Sequence, residues 1–313
     1  MIKLIDLLRE ALIIEGGNVF KNTEYDAQDI LLANIEPTIK KFVEDLGKLF
    51  PNKKASFAEL ADKSNWLGST GKKAQSGDVD LAYSSEHFFK DGKVDIAGWG
   101  IDENEFNSLY EKYKKSSRTA TDEAIQTRAL LDSIINKVNN AGGDMFGSNK
   151  ATNGGTLHFS FPQYTPAGKK LDSRAQLDVD SGDMDWLKFR YNSELPKEDP
   201  NIKGLHRGQL MLAMFAALGY TFKNGKGFIR KETGETISDK PQGALEIFNQ
   251  EYKPKQPLTL EIINNYNKLM DYIKTNLKPE DVEKTLTMFK EAVRRAGAYV
   301  PDNIWVEQQV DHV

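Results

Sequence analysis

The stretch whose reading decides the fold is Leu67-Gly68-Ser69-Thr70-Gly71-Lys72-Lys73-Ala74-Gln75-Ser76-Gly77-Asp78-Val79-Asp80-Leu81. Its end, continued by Ala82-Tyr83, alternates in the manner of a strand. Two carboxylates two residues apart on a strand point to one face, with α-carbons roughly 7 Å apart. That face can present oxygens to two divalent ions about 3.5–4 Å apart, as in-line phosphoryl transfer requires. Carboxylate oxygens suit magnesium, a hard ion that keeps several waters and takes phosphates as ligands. Gly68-Ser69 adds unobstructed backbone, a hydroxyl and nearby amides fit to hold a triphosphate, and Lys72 and Lys73 add positive charge. A third carboxylate is expected from a neighbouring strand. Gln176-Leu177-Asp178-Val179-Asp180 offers two on a shared face, and either Asp178 or Asp180 completes the set.

Outward from this stretch, Ile2 to Ile14 has helical spacing and stops at Gly16-Gly17. A second helix is expected from about Asp26 to Phe50, broken or kinked at Pro37. A turn at 51–54 and a short helix from Phe57 to Asp62 complete a helical lead-in over 1–62. Asn65-Trp66-Leu67 and Val79 to Tyr83 read as strands, and Glu103 to Ala141 as helix in two or three pieces. Gly142 to Gly155 is glycine-rich and reads as a loop. Thr156 to Phe161 and Ala175 to Val179 form an expected hairpin, with Trp186 to Tyr191 as a third strand. Beyond lie an apolar helix from Leu205 to Leu218, a hairpin around 227–238, a helix from Gln242 to Glu251, and two helices from Leu258 to Gly297 split at Pro279.

Composition excludes several classes. With no cysteine, there is no disulfide scaffold, cysteine-ligated metal or cysteine nucleophile. Four scattered histidines speak against a multi-histidine zinc site. Apolar runs such as Leu210 to Leu218 are too short to cross a bilayer, and Asp6, Arg9 and Glu10 do not suit a secretory signal. The expectation is a cytoplasmic protein with no membrane partner. A net charge of −4 disfavours nonspecific coating of nucleic acid.

The ordered combination of apolar-Gly-Ser, polar turn, Asp-apolar-Asp and a later strand carrying Asp resembles the DNA polymerase beta-like nucleotidyltransferase superfamily, most closely its X-family polymerases. The resemblance implies that Gly68 and Ser69 bind nucleotide phosphate, that Lys72 stands at a phosphate-binding arginine, and that Asp78, Asp80 and Asp178 hold two Mg2+ ions, with Mn2+ as a substitute. Asp178 would also help activate the acceptor hydroxyl. Gly204 to Leu218 and the hairpin and helix after it resemble the X-family nucleotide-side subdomain, which would bring Gly204, His206 and Arg207 to the nucleotide. The implied fold is α+β: a nucleotidyltransferase-type mixed-sheet palm over 63–200 with a helical insertion at about 102–155, a nucleotide-side subdomain over 201–255 and a helical cap over 256–313.

Departures from the family narrow the expected reaction. Ser69 and Asp78 are slightly closer than in the family, Leu212 is apolar where a template reader is polar, Asn201-Ile202-Lys203 replaces the aromatic pair before Gly204, and no lysine-rich lyase domain precedes residue 60. The expected activity is therefore transfer of NMP from an NTP such as ATP to an acceptor hydroxyl, without a template. The acceptor is an RNA or tRNA end, a small molecule or a protein. The alternatives are a catalytically silent nucleotide- or partner-binding protein on the same fold, and a templated polymerase.

Other features weigh less. Asp178 to Asp185 fails as a calcium loop, because positions six and twelve are Asp183 and Phe189. Tyr110 to Arg118 mixes rings and cations and reads either as an acceptor surface or as a wet helix face with aromatics inward. His158 reads as a hydrogen-bonded packing residue, and Leu260, Ile263, Tyr266, Met270 and Ile273 as one packed stripe.

Overall fold

Ile35, Ile39, Phe42 and Leu46 recur at helical spacing, and α1 (Leu32–Leu49), which follows the two-residue strand β1 (Ile30–Leu31), buries all four. In this computed structural model the described residues are 18–301 except 118–119, 151, 195–198, 200 and 224–226. The expected helix over Ile2–Ile14, Arg118 and His312 lie outside them. The chain is α+β and divides into two compact units, Gly16–Lys188 and a second beginning at Phe189.

The helix expected from Asp26 starts only at Leu32. Residues 18–29 take turns and extended backbone because Asn18 Nδ2 donates to the Asp26 carboxylate at 2.6 Å and to the Ala27 carbonyl at 2.7 Å, competing with helix. Pro37 does not end α1, which continues to Leu49. After a 3-10 turn at Pro51–Lys53 come α2 (Ala58–Ala61), β2 (Gln75–Ser76) and β3 (Asp78–Ser84). The strand expected at Asn65–Leu67 is a 3-10 turn ending in a single antiparallel bridge, Trp66 to Leu81. A small hairpin, β4 (Phe89–Lys90) and β5 (Lys93–Val94), leads to α3 (Ile96–Trp99) and the two expected helices, α4 (Glu103–Ser116) and α5 (Asp122–Ala141). The glycine-rich loop contains an edge strand, β6 (Phe146–Ser148). Then follow β7 (Thr156–Tyr164), β8 (Lys170–Gly182) and α6 (Met184–Tyr191).

These strands form a four-stranded sheet in the order β3-β8-β7-β6, with β3 parallel to β8 and the other pairs antiparallel. Trp186–Tyr191, expected as its third strand, is helical. Asp183 Oδ1 accepts from the backbone N–H groups of Asp185 and Trp186 and so caps α6. One face of the sheet is apolar, with Val79, Leu81 and Tyr83 alternating against Asp78 and Asp80, and Leu157, Phe159 and Phe161 against Thr156, His158 and Ser160. The Phe42 ring of α1 lies 5.2 Å from that of Phe159, and Ala129, Leu130, Ile134 and Val138 of α5 join the same core. Each such buried side chain contributes about 1.5–3 kcal/mol relative to exposure. The helices α1 and α5 are therefore structural parts of the first unit.

In the second unit the apolar helix α7 (Gly204–Ala217) packs on α11 (Pro279–Arg295) through buried faces that include Met211, Phe215, Leu286 and Phe289. A three-stranded antiparallel sheet of β9 (Tyr220–Lys223), β10 (Gly227–Arg230) and β11 (Thr236–Ser238) is followed by α8 (Pro241–Tyr252). The Phe215 ring meets those of Phe228 and Phe248 at 5.1 and 5.6 Å. Asn265 caps a new helix and divides the expected single stripe into α9 (Leu260–Asn264) and α10 (Tyr266–Asn276). Leu260 is consequently exposed, while Ile263, Tyr266, Met270 and Ile273 are buried.

One ion pair ties the first unit together. Lys53 Nζ lies 2.7 Å from Asp95 Oδ2, with both side chains largely buried, and also donates to the His87 carbonyl. Burial works to raise the Asp95 pKa, but the Lys53 ammonium and the Gly98 N–H outweigh it and hold the carboxyl below its ordinary value. A depressed carboxyl stabilises the fold above its unfolded pKa of about 3.9 and loses that contribution as pH falls through the folded value. Asp95→Ala is expected to cost about 2 kcal/mol at pH 7 in urea unfolding. The difference from wild type should shrink below about pH 4.

Candidate active site

The parallel pairing of β3 with β8 sets Asp80 opposite Asp178, and the antiparallel pairing of β8 with β7 sets Asp178 opposite His158. One row across the polar face of the sheet therefore reads Asp80, Asp178, His158. Asp78 lies two residues before Asp80 on the same side. A carboxylate oxygen from each of Asp78, Asp80 and Asp178 lies within 4.8 Å of the others. Among the described residues no other group of three or more His, Asp or Glu side chains converges in this way. Of the two candidates for third carboxylate, Asp178 joins the cluster. Asp180 sits opposite Ala82 and accepts a hydrogen bond from Thr156 Oγ1 at 2.6 Å.

The loop from Leu67 to Gly71 folds back over β3 and fixes Asp80. Leu67 N–H donates to the Asp80 carbonyl at 2.9 Å, and Asp80 N–H donates to Thr70 Oγ1 at 2.8 Å. Gly68 has φ +56°, and a Cβ there would stand 2.5 Å from Asp80 Oδ2. The position thus needs glycine twice over, once for its left-handed backbone and once for its approach to a carboxylate oxygen. Ser69 follows in the same turn, its carbonyl accepting from Lys72 N–H at 3.0 Å, and Lys72 Nζ donates to the Gly68 carbonyl at 3.0 Å. The structure therefore brings Gly68, Ser69 and Lys72 together beside Asp80.

Asp178 is buried and engaged at both oxygens. His158 Nδ1 lies 2.7 Å from Oδ1, and Gln176 Nε2 donates to Oδ2 at 3.0 Å. Burial works to lower the His158 pKa. The hydrogen bond and charge of Asp178, with the charges of Asp180 and Asp78 behind it, overcome that effect and raise it. This direction follows from the carboxylates that surround the imidazole. The donor set of three carboxylates, with Gly68 leaving the Asp80 oxygen uncrowded, fits magnesium.

His206 and Arg207, expected at a nucleotide, are each 1% exposed and hold the second unit together. His206 Nδ1 accepts from Lys203 N–H at the start of α7, where Gly204 begins the helix, and Nε2 lies 2.7 Å from the Tyr299 carbonyl. Arg207 donates to the carbonyls of Phe189 and Arg190 and to Ser193 Oγ. The polar groups named here are thus engaged by residues of the second unit.

Thr70 and Gln176 escape a reading of the sequence. Thr70 lies inside the quoted stretch, but its hydroxyl is tied to Asp80 only through the fold-back. Gln176 stands two residues before Asp178 on the same face, the one local signal that pointed to it. His158 is hydrogen-bonded as expected, and its partner is Asp178. Tyr113, in the aromatic and basic stretch, is buried against Asp132 and carries the Arg128 guanidinium over its ring, so its aromatic side faces inward. No family model matches this chain, and no curated protein matches its sequence.

Gly68→Ala should destabilise the first unit by more than the roughly 1–2 kcal/mol of a left-handed alanine, because Asp80 must also move. Gly168→Ala, in the same unit at φ +77° with nothing within 4 Å of its added Cβ, carries the backbone cost alone. The difference between the two variants in urea unfolding measures the Asp80 contact.

Proposed function

We propose that this chain is a magnesium-dependent, template-independent nucleotidyltransferase of the DNA polymerase beta-like kind. It transfers NMP from an NTP to an acceptor hydroxyl and releases pyrophosphate. The observation that supports this reading is the convergence of Asp78, Asp80 and Asp178 beside a Gly68-Ser69 turn pressed against Asp80. When bound, two Mg2+ ions, or Mn2+ in their place, supply the positive charge that steadies the triphosphate and the departing pyrophosphate. Asp78 and Asp80 offer their oxygens from one strand, and Asp178 offers a third from the next. Asp178 also assists removal of the proton from the attacking hydroxyl, held in orientation by His158 and Gln176. Ser69 and the amides of its turn bind phosphate oxygens, and Lys72, already lying on the Gly68 carbonyl, adds a cation beside them. The acceptor is an RNA or tRNA end, a small molecule or a protein hydroxyl.

The assay is magnesium-dependent pyrophosphate release from each of the four NTPs, with a cell lysate as the source of acceptors and label followed into RNA, protein and small molecules. Asp78→Ala and Asp80→Ala should each lower turnover by at least about 100-fold, and undiminished turnover would overturn the assignment. Asp178→Ala should cost more than Asp180→Ala, and the reverse order would move the third ligand to Asp180. Nucleotide binding without turnover on any acceptor would favour a silent binding protein. Extension of a gapped duplex would favour a templated polymerase.

A further inference from the structure

Residues 18–29 form a strap along the polar face of the sheet, against residues of β6, β7 and β8. Ser160 Oγ donates to the Tyr25 carbonyl at 2.7 Å, and Gln28 N–H donates to the Arg174 carbonyl at 2.8 Å. The Tyr25 ring stacks on Phe146 at 3.8 Å, and Lys150 Nζ donates to the Val19 carbonyl at 2.8 Å. These contacts explain why every residue of β7 is buried although its outward face is polar.

At one point the strap reaches the carboxylates. Gln176 is 2% exposed, its Oε1 accepts from Val19 N–H at 2.9 Å, and its Nε2 donates to Asp178 Oδ2 at 3.0 Å. The carboxamide fits only this way round, because a backbone N–H only donates and an ionised carboxylate only accepts. Gln176 is also the register partner of Asp78 on β3. We propose that Gln176 is a positioning residue through which the strap sets the orientation of Asp178 in the metal site. With Oδ1 held by His158 and Oδ2 by Gln176, the plane of the Asp178 carboxylate is fixed before any ligand arrives. Each oxygen keeps lone-pair capacity toward Asp78 and Asp80. Partners of this kind, one bond removed from a metal, govern its affinity through the ligand they orient. The inference rests on the metal-binding reading of the three aspartates.

The test is Mn2+ binding to the full chain, followed by calorimetry and by the electron paramagnetic resonance signal of the free ion, with thermal unfolding and steady-state kinetics alongside. Wild type should bind Mn2+ in a manner that Asp78→Asn removes. Gln176→Met keeps the size of the side chain and loses both hydrogen bonds. It should weaken Mn2+ binding by about 10-fold or more. At saturating metal it should lower kcat per folded molecule, with the folded fraction taken from the unfolding curve, while leaving KM for the triphosphate little changed. Asn18→Ala leaves Gln176 and the three clustered aspartates unaltered, yet it removes the bonds to Asp26 and Ala27 that hold the strap's bend and should weaken Mn2+ binding in the same direction by less. If Gln176→Met does not fold, Asn18→Ala decides the matter. Wild-type Mn2+ affinity in the folded variants would overturn the positioning role and leave the aspartates' assignment standing. Absence of any Asp78-dependent binding in wild type would overturn both.

Discussion

The alignment of β3 beside β8, with Asp80 opposite Asp178, is the constraint on which the first unit depends. Directly opposed like charges destabilise a sheet, so other forces must hold this register. They come from the opposite face. Val79, Leu81 and Tyr83 on one strand and Leu177 and Val179 on the other are all buried. A shift of one residue would drive the carboxylates into the core and expose the apolar set. The acidic face is thus a consequence of the apolar face, and its geometry is as rigid as the core beneath it.

A parallel pair needs a long connection, and here that connection does structural work. Between β3 and β8 the chain forms α3, α4 and α5 and then the hairpin partners β6 and β7. Phe106, Ile125, Leu131 and Ile135 of the connection belong to the same core as Val79 and Leu81. The connection is therefore no appendage, because its helices supply much of the apolar surface against which the carboxylate-bearing strands are held. The fold-back at Leu67 to Thr70 performs the same service locally, bonding both the N–H and the carbonyl of Asp80.

Much of this was legible in the residues themselves. The alternation of Asp78 to Tyr83, the two helices between Glu103 and Ala141 and the apolar run of α7 carry their periodicity openly, and the structure follows them. Trp186 to Tyr191 alternates as a strand would and forms a helix, because the capping carboxylate of Asp183 lies outside the alternating run. Residues 18–29 have no period at all. Their order comes from side-chain bonds to residues more than a hundred positions away, such as Gln176 to Val19 and Ser160 to Tyr25. The choice of Asp178 over Asp180 likewise turns on strand register, which local pattern leaves open. His206 and Arg207 resemble site residues at a helix start, yet burial and carbonyl partners give them a structural task.

Electrostatics connects the site to the strap. Two unit charges about 4 Å apart near a protein surface repel by about 4 kcal/mol, and three carboxylates with oxygens within 4.8 Å of one another meet that condition repeatedly. Free side chains would rotate apart. Here two of the three are held by something uncharged: the β3 loop bonds the backbone of Asp80, and the Gln176 amide, with the strap behind it, bonds Asp178. His158, a side chain able to carry positive charge, hydrogen-bonds Asp178 directly, and the carboxylates raise its pKa against the effect of burial. A framework that keeps mutually repelling oxygens converged is preorganised for a compact cation, since the cost of assembling the ligands is met by the fold and not by binding. The strap then has a physical purpose: through Gln176 it adds a second restraint on Asp178 beside the one from His158.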